Sequence, residues 1–148
     1  MEKPLVLLVD DNEATTILMT ALLHKEFELD IVSDGIDALE RLKTKNYAAV
    51  ILDLLMPQLD GYGVLDFLQT SNPELLKRII VVSAALTRRE MAQVGNYRVC
   101  DVISKPFEVD TLLASVRRCV GASPVPRGTM ISGGMILFLA EVLKHVNR

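Results

Sequence analysis

The feature that most constrains this chain is a fivefold alternation between short apolar runs and longer segments with helical periodicity. The runs are Leu5 to Val9, Leu29 to Ser33, Ala48 to Leu52, Ile79 to Ser83 and Val99 to Ser104, and each reads as a strand. Three of them are almost continuously apolar, the pattern of strands covered on both faces, and the stretches between them are long enough for crossover helices. The expected architecture is α/β, a doubly wound five-stranded parallel sheet with helices on both faces. With 148 residues, 50% of them hydrophobic, the chain can bury such a core.

The helical segments carry their own signals. Asn12 is the expected N-cap of a first helix, whose Ile17, Leu18, Ala21 and Leu22 form the stripe expected to be buried. A second helix starts at Asp34-Gly35 with Ile36, Leu39 and Leu42 inward, and a third runs from about Tyr62 with Val64, Leu65 and Leu68 inward. Thr87 and Glu90 fit a capping box that opens a short polar helix ending at Gly95, expected to be the least stable element. The fifth helix aligns Val109, Leu112, Leu113, Val116 and Val120 before Gly121. Residues 1–121 then form one domain, 122–129 a Pro/Gly linker, and 130–148 a helix-like tail. That tail is apolar nearly all round, so it wants burial against the domain, a second copy of the chain or another protein.

Composition narrows the classes of function. A formal net charge of −3 leaves no basic surplus for counterion release, so nucleic acid is not an expected partner. The first apolar run is stopped by an acidic pair and is too short for a signal peptide. The apolar core of the tail is interrupted by Glu141, so no transmembrane span is expected. Cys100 and Cys119 lack CxxC or zinc-type spacing and read as two buried, reduced thiols, which together with the absence of a signal points to the cytoplasm.

In a doubly wound sheet, ligands bind beyond the carboxyl ends of the strands. The first run ends in Asp10-Asp11, the third in Asp53, the fourth in Ser83 and the fifth in Lys105-Pro106, so three carboxylates, a hydroxyl and an ammonium converge on one rim. Two carboxylates about 5 Å apart repel by roughly 3 kcal/mol at an effective dielectric near 20, so such a site calls for a cation. Oxygen donors without His or Cys select a hard ion, Mg²⁺ first, with Mn²⁺ able to substitute. One carboxylate can then attack phosphorus to give an aspartyl phosphate, with Lys105 and Ser83 meeting phosphoryl oxygens. Each residue has a blander reading. Asp10-Asp11 could cap the first helix, Asp53 could merely pair with Lys105, and Ser83 could be a turn residue. Their convergence at one rim favours the phosphoryl site. His24 and His145 read as exposed helix residues.

Four segments then carry a family resemblance: Leu5-Val-Leu-Leu-Val-Asp-Asp11; Val50-Ile-Leu-Asp53 followed by Met56-Pro57 and Gly61; Val81-Val-Ser83-Ala84; and Ser104-Lys-Pro-Phe107. In order and spacing, residues 4 to 120 resemble the receiver domain of two-component response regulators. The resemblance implies a flavodoxin-like sheet of strand order 2-1-3-4-5 and a signalling switch rather than an enzyme. Asp53 would be the phosphoacceptor, served by a histidine kinase or phosphotransfer protein. Asp11, Asp53 and the Leu55 carbonyl would ligate Mg²⁺, with Asp10 acting mainly through a metal-bound water. Ser83, Ala84, Lys105 and Pro106 would bind phosphate and throw the switch, with a cis Lys105-Pro106 bond aiming the lysine.

The sequence also departs from the family. Val102 stands where many receivers carry an aromatic switch residue, so an aromatic swing is not expected there. Leu55 and Ala85, two positions after Asp53 and Ser83, cannot orient an attacking water, so self-dephosphorylation should be slow. An aspartyl phosphohydrolase would want an acid where Leu55 stands. The stretch after the fifth helix is too short for an output domain, so output is expected through contact with a downstream target protein. A homodimer through the tail or the fourth and fifth helices is a further expectation. The rival reading is a pseudo-receiver, an interaction module that keeps the fold and works without phosphorylation.

Overall fold

The structure is a computed structural model that describes residues 2–84 and 86–121. Ala85, the 122–129 linker and the 130–148 tail lie outside the described residues, and with them the readings placed there.

Elements alternate along the chain: β1 (Leu5–Val9), α1 (Glu13–Leu23), β2 (Glu28–Val32), α2 (Gly35–Thr44), β3 (Ala49–Asp53), α3 (Gly61–Ser71), β4 (Ile79–Ser83), α4 (Arg88–Val94), β5 (Asp101–Ser104) and α5 (Val109–Gly121). A 3-10 turn, Pro73–Arg78, precedes β4. The strands form one sheet in the order β2-β1-β3-β4-β5, every neighbouring pair parallel. This is the five-stranded, flavodoxin-like arrangement.

Because successive side chains of a strand point to opposite faces, each run supplies two cores. Leu7, Val9, Val50, Leu52, Ile79 and Val81 meet Ala38 of α2, Val64, Leu65 and Leu68 of α3, and Val94 of α4. On the other face Val6, Leu8, Ala49, Ile51, Ile80 and Val82 meet Met19 and Leu23 of α1 with Leu112 and Val116 of α5. Each fully buried Val, Leu or Ile contributes about 1.5–3 kcal/mol, which makes the central strands the rigid base of whatever sits at their ends.

Side-chain caps start the helices. Asn12 accepts from the Thr15 N–H at 3.0 Å and Asp34 from the Asp37 N–H at 2.8 Å. Thr87 and Glu90 form a complete capping box, yet Val94 is the only fully buried residue of α4, so little tertiary packing holds that helix.

Three expectations about burial are corrected. In α1 the inward residues are Thr16, Met19 and Leu23, while Ile17 and Leu18 are 63% and 51% exposed and Ala21 is exposed as well. That helix is apolar on most sides, so apolar count alone does not select a face. Thr16 can sit inward because its hydroxyl donates to the Glu13 carbonyl at 2.9 Å. In α2 the inward face starts at Gly35 and Ala38, and Ile36, about 100° round the helix from Gly35, is 49% exposed. In α5 Ser115 and Cys119 join Leu112 and Val116 inside, whereas Val109 is 44% exposed.

The cysteine reading is corrected too. Cys100 and Cys119 are joined in a disulfide rather than held as two reduced thiols. Cys100 immediately precedes β5 and Cys119 lies on the buried face of α5, which packs back over that strand and brings the Cα atoms to 6.1 Å, within disulfide reach. The partners are 19 residues apart, so no local motif announces the pair.

Candidate functional site

The carboxyl ends of β1, β3, β4 and β5 come together at one rim. Asp10 follows β1 directly, and its N–H donates to the Val32 carbonyl at 3.1 Å, extending the sheet by one step. Its carboxylate accepts from the Asn12 N–H at 2.8 Å and from the Lys105 ammonium at 3.1 Å. Asp53 ends β3 and is only 7% exposed; its Oδ1 accepts from the Leu55 N–H at 3.3 Å and its Oδ2 lies 3.7 Å from Lys105 Nζ. Asp11 is exposed, and one carboxylate oxygen from each of Asp10, Asp11 and Asp53 lies within 4.8 Å of the other two.

Ser83 ends β4 and is buried, and its carbonyl accepts from the Lys105 N–H at 2.8 Å. That bond ties the ends of β4 and β5 together, and the Lys105-Pro106 peptide bond is cis. Ala84 and Pro106 are exposed beside them. Val102 pairs with Val81 and packs half-buried against the α2/α3 core, so no ring stands at that position.

The loop after Asp53 is shaped by two backbone features. Gln58 adopts a left-handed φ of 66°, uncommon for a residue with a side chain. Gly61 passes so close to β3 that a Cβ there would stand 2.5 Å from the Asp53 carbonyl oxygen and 2.7 Å from the Leu54 Cα. No side chain fits that approach, which explains the glycine at the start of α3. The Leu55 side chain is 56% exposed, an apolar group at the mouth of the site.

Electrostatics single out Asp53. Burial raises its carboxyl above the ordinary value; the Lys105 ammonium opposes that shift, and the neighbouring charges of Asp10 and Asp11 add to it. A bound cation would relieve both the repulsion and the desolvation. Three clustered carboxylates with no nitrogen or sulfur donor fit a hard divalent ion such as Mg²⁺. Within the same rim, a carboxylate, a compact ammonium and a hydroxyl are groups that chemistry on a phosphoryl group can use.

Sequence reasoning did not find Asp101, the charged residue in the β5 run. It accepts from the Ser115 hydroxyl at 2.7 Å and pairs with Arg118, pinning α5 to the strand that leads to Lys105. The signal was a single acid inside an apolar run opposite Ser115 and Arg118, which share one helix face at i, i+3 spacing.

Comparison with known proteins agrees with this geometry. The family model described as "Response regulator receiver domain" matches residues 6–117. Among curated proteins, the chain is 29% identical over 130 residues to the transcriptional regulatory protein TcrA of Mycobacterium tuberculosis, covering 87% of this chain and 51% of that protein. It is 31% identical over 132 residues to the transcriptional regulatory protein DltR of Streptococcus agalactiae, covering 88% of this chain and 58% of that one. The chain thus spans about half the length of the curated relatives it matches. Among solved structures, the receiver domain of a Francisella response regulator superposes with a TM-score of 0.75 at 25% identity, over 82% of this chain and 100% of that one. The receiver domain of a Pseudomonas aeruginosa sensor histidine kinase, described with a magnesium ion coordinated in its active-site cleft, superposes with a TM-score of 0.73 at 24% identity, over 81% and 99%.

Proposed function

The chain belongs to the response regulator receiver domain family, and on that premise we propose that Asp53 accepts a phosphoryl group, with Mg²⁺, from a histidine kinase or phosphotransfer protein. Domains of this family are signalling domains rather than conventional enzymes. The observation that carries the reading is the meeting of three carboxylates within 4.8 Å with an ammonium 3.7 Å from Asp53 Oδ2, all at the carboxyl rim of the sheet.

In the transfer, an Asp53 carboxylate oxygen forms a bond to phosphorus as the phosphorus–nitrogen bond of the donor phosphohistidine breaks, and the imidazole leaves with the electron pair. Asp11, Asp53 and the Leu55 carbonyl would hold the ion, with Asp10 acting mainly through a water on it, and the ion would supply positive charge to the phosphoryl oxygens. Lys105 gives up part of its contact with Asp10 to meet one phosphoryl oxygen, and the Ser83 hydroxyl donates to another. With Ala84 and Pro106 flanking them, these two residues convert occupancy of Asp53 into movement of the loop after β4 and of the thinly packed α4. Val102 leaves that step without a swinging ring.

Leu55 has no group that could orient a water toward the phosphoryl phosphorus, so the aspartyl phosphate is long-lived, with a lifetime well beyond seconds. Output passes through contact with a downstream protein. Among the described residues no helix is long and apolar enough to cross a membrane.

The test is incubation with Mg²⁺ and acetyl phosphate followed by intact mass, with Asp53→Asn as control. One added phosphoryl group, missing from the control, is the expected result. No addition to either protein would replace this reading with the phosphorylation-independent module.

A further inference from the structure

We propose that Cys100 and Cys119 form a reversible redox site, a dithiol–disulfide couple that clamps α5 onto the start of β5 and exchanges with a low-molecular-weight disulfide such as glutathione disulfide. The bridge joins residues 19 apart in sequence. The segment it closes holds all of β5, the Lys105-Pro106 turn and most of α5, so oxidation constrains the stretch of backbone that carries Lys105 to the phosphoryl site.

Contacts other than this bond also hold α5 to the domain. Leu112 and Val116 anchor α5 in the core, the Ser115 hydroxyl donates to Asp101 at 2.7 Å, Arg118 pairs with the same carboxylate, and Arg117 reaches Glu26 at 2.7 Å. A helix held by so many other contacts stays docked when the bridge opens. A disulfide that is one contact among several is suited to exchange, and in a reducing compartment such bonds are characteristically transient and redox-sensing.

The two sulfurs differ in access. Cys119 is fully buried while Cys100 keeps part of its surface exposed, so exchange enters at Cys100. On closing, the Cys100 thiolate attacks glutathione disulfide, forming a mixed disulfide and releasing one glutathione thiolate. Cys119 then loses its proton and attacks the Cys100 sulfur, and the second glutathione leaves as thiolate. Two protein thiols are oxidised to one disulfide and one glutathione disulfide is reduced to two thiols, so electrons balance. Opening is the reverse, beginning with glutathione thiolate at Cys100.

The test equilibrates the full chain in glutathione buffers from fully reduced to fully oxidised, quenches in acid, alkylates the unfolded protein and reads intact mass. Two alkyl groups should give way to none through one transition that retraces when the buffer is reversed. The oxidised form should melt at least about 5 °C above the reduced form, and its α5 amides should exchange about tenfold more slowly. Cys100→Ser, and independently Cys100→Ala, should keep the fold and abolish both differences. Thiols that stay open in oxidised glutathione, a bridge that stays closed in excess reduced glutathione, or a lasting glutathione adduct on Cys100 without closure would each overturn the proposal. None of these readouts requires Asp53 to accept a phosphoryl group, so this proposal and the function above fail separately.

Discussion

The Lys105 ammonium donates to Asp10 at 3.1 Å and stands 3.7 Å from Asp53, so the residue with the closer hold on the lysine is the neighbour of the proposed acceptor. Asp10 and Asp53 are 3% and 7% exposed, and each leans on the same cation.

Removing that cation should destabilise the metal-free protein. Lys105→Met leaves two buried carboxylates without their counter-ion. Because the lysine side chain keeps 19% of its surface in solvent, the loss should be about 2 kcal/mol, below the range for a fully buried pair. Millimolar Mg²⁺ should restore most of it. Thermal melts with and without Mg²⁺ read the difference, and a variant that melts like the parent in the absence of metal would show that Lys105 does not compensate these acids.

Asp53→Asn should act in the opposite direction. Burial raises the folded-state pKa of Asp53 above its ordinary value, with Lys105 opposing and Asp10 and Asp11 reinforcing the shift. A group shifted that way contributes its stability when protonated and loses it as pH rises through the folded pKa, so at pH 7 the ionised side chain is a net penalty. Neutral Asn, close to the same shape, should raise metal-free stability by about 1 kcal/mol while abolishing Mg²⁺-induced stabilisation. A lower urea midpoint for the variant without metal would contradict that sign.

A second pair, away from the rim, should bound the pH range of the fold. The Tyr47 hydroxyl donates to Asp30 at 2.7 Å, and Lys45 pairs with the same carboxylate at 3.0 Å. The Tyr47 hydrogen bond is the main cause holding the Asp30 carboxyl below its ordinary value of 3.8, against the effect of burial, and Lys45 and Arg41 lower it further. Its stabilisation is therefore present at neutral pH and lost as pH falls below about 4. Burial first, and Asp30 second, push Tyr47 up to about 12. That contribution is complete below the ordinary tyrosine value near 10 and disappears as pH climbs toward 12. Tyr47→Phe should cost about 1 kcal/mol at pH 7 and flatten the acid limb. The alkaline limb should persist in part, since Tyr97, bonded to Asp66, is also pushed up to about 12. Urea midpoints across pH supply the check, and an unchanged acid limb would remove Asp30 from the account.

Gly61→Ala should damage the site through the backbone. The new Cβ would stand 2.5 Å from the Asp53 carbonyl oxygen and 2.7 Å from the Leu54 Cα, both backbone atoms with no rotamer to yield. The expected cost is about 2–4 kcal/mol, with Mg²⁺ affinity weakened as β3 and α3 part. Calorimetric Mg²⁺ titration of the folded variant separates the two effects, and wild-type affinity would mean that the loop absorbs the clash without moving Asp53.

The strands were legible in sequence because a run buried on both faces leaves almost no alternative to a central parallel strand, and their observed ends differ from the expected ones by at most two residues. Asn12 and Thr87 were legible as caps, and Asp34 as the place where α2 begins, because these side chains act locally. The rim of acids was legible because each stands at the end of such a run. Orientation was harder to read. Ile17 and Leu18 face solvent while Thr16 is inside, because helix-to-sheet docking, not apolar count, selects the face. The Cys100–Cys119 bond and the Asp101–Arg118 pair depend on how α5 lies over β5, a relation between distant segments that no local spacing encodes.

The bond from the Lys105 N–H to the Ser83 carbonyl, at 2.8 Å, makes a single mechanical part of the two residues proposed to meet the phosphoryl group. A pull on either one is felt by the backbone of both. On the proposed function, whatever draws the Ser83 hydroxyl inward would also carry the ammonium, and the start of α5 behind it, so news of an occupied Asp53 would leave through one joint rather than two independent levers.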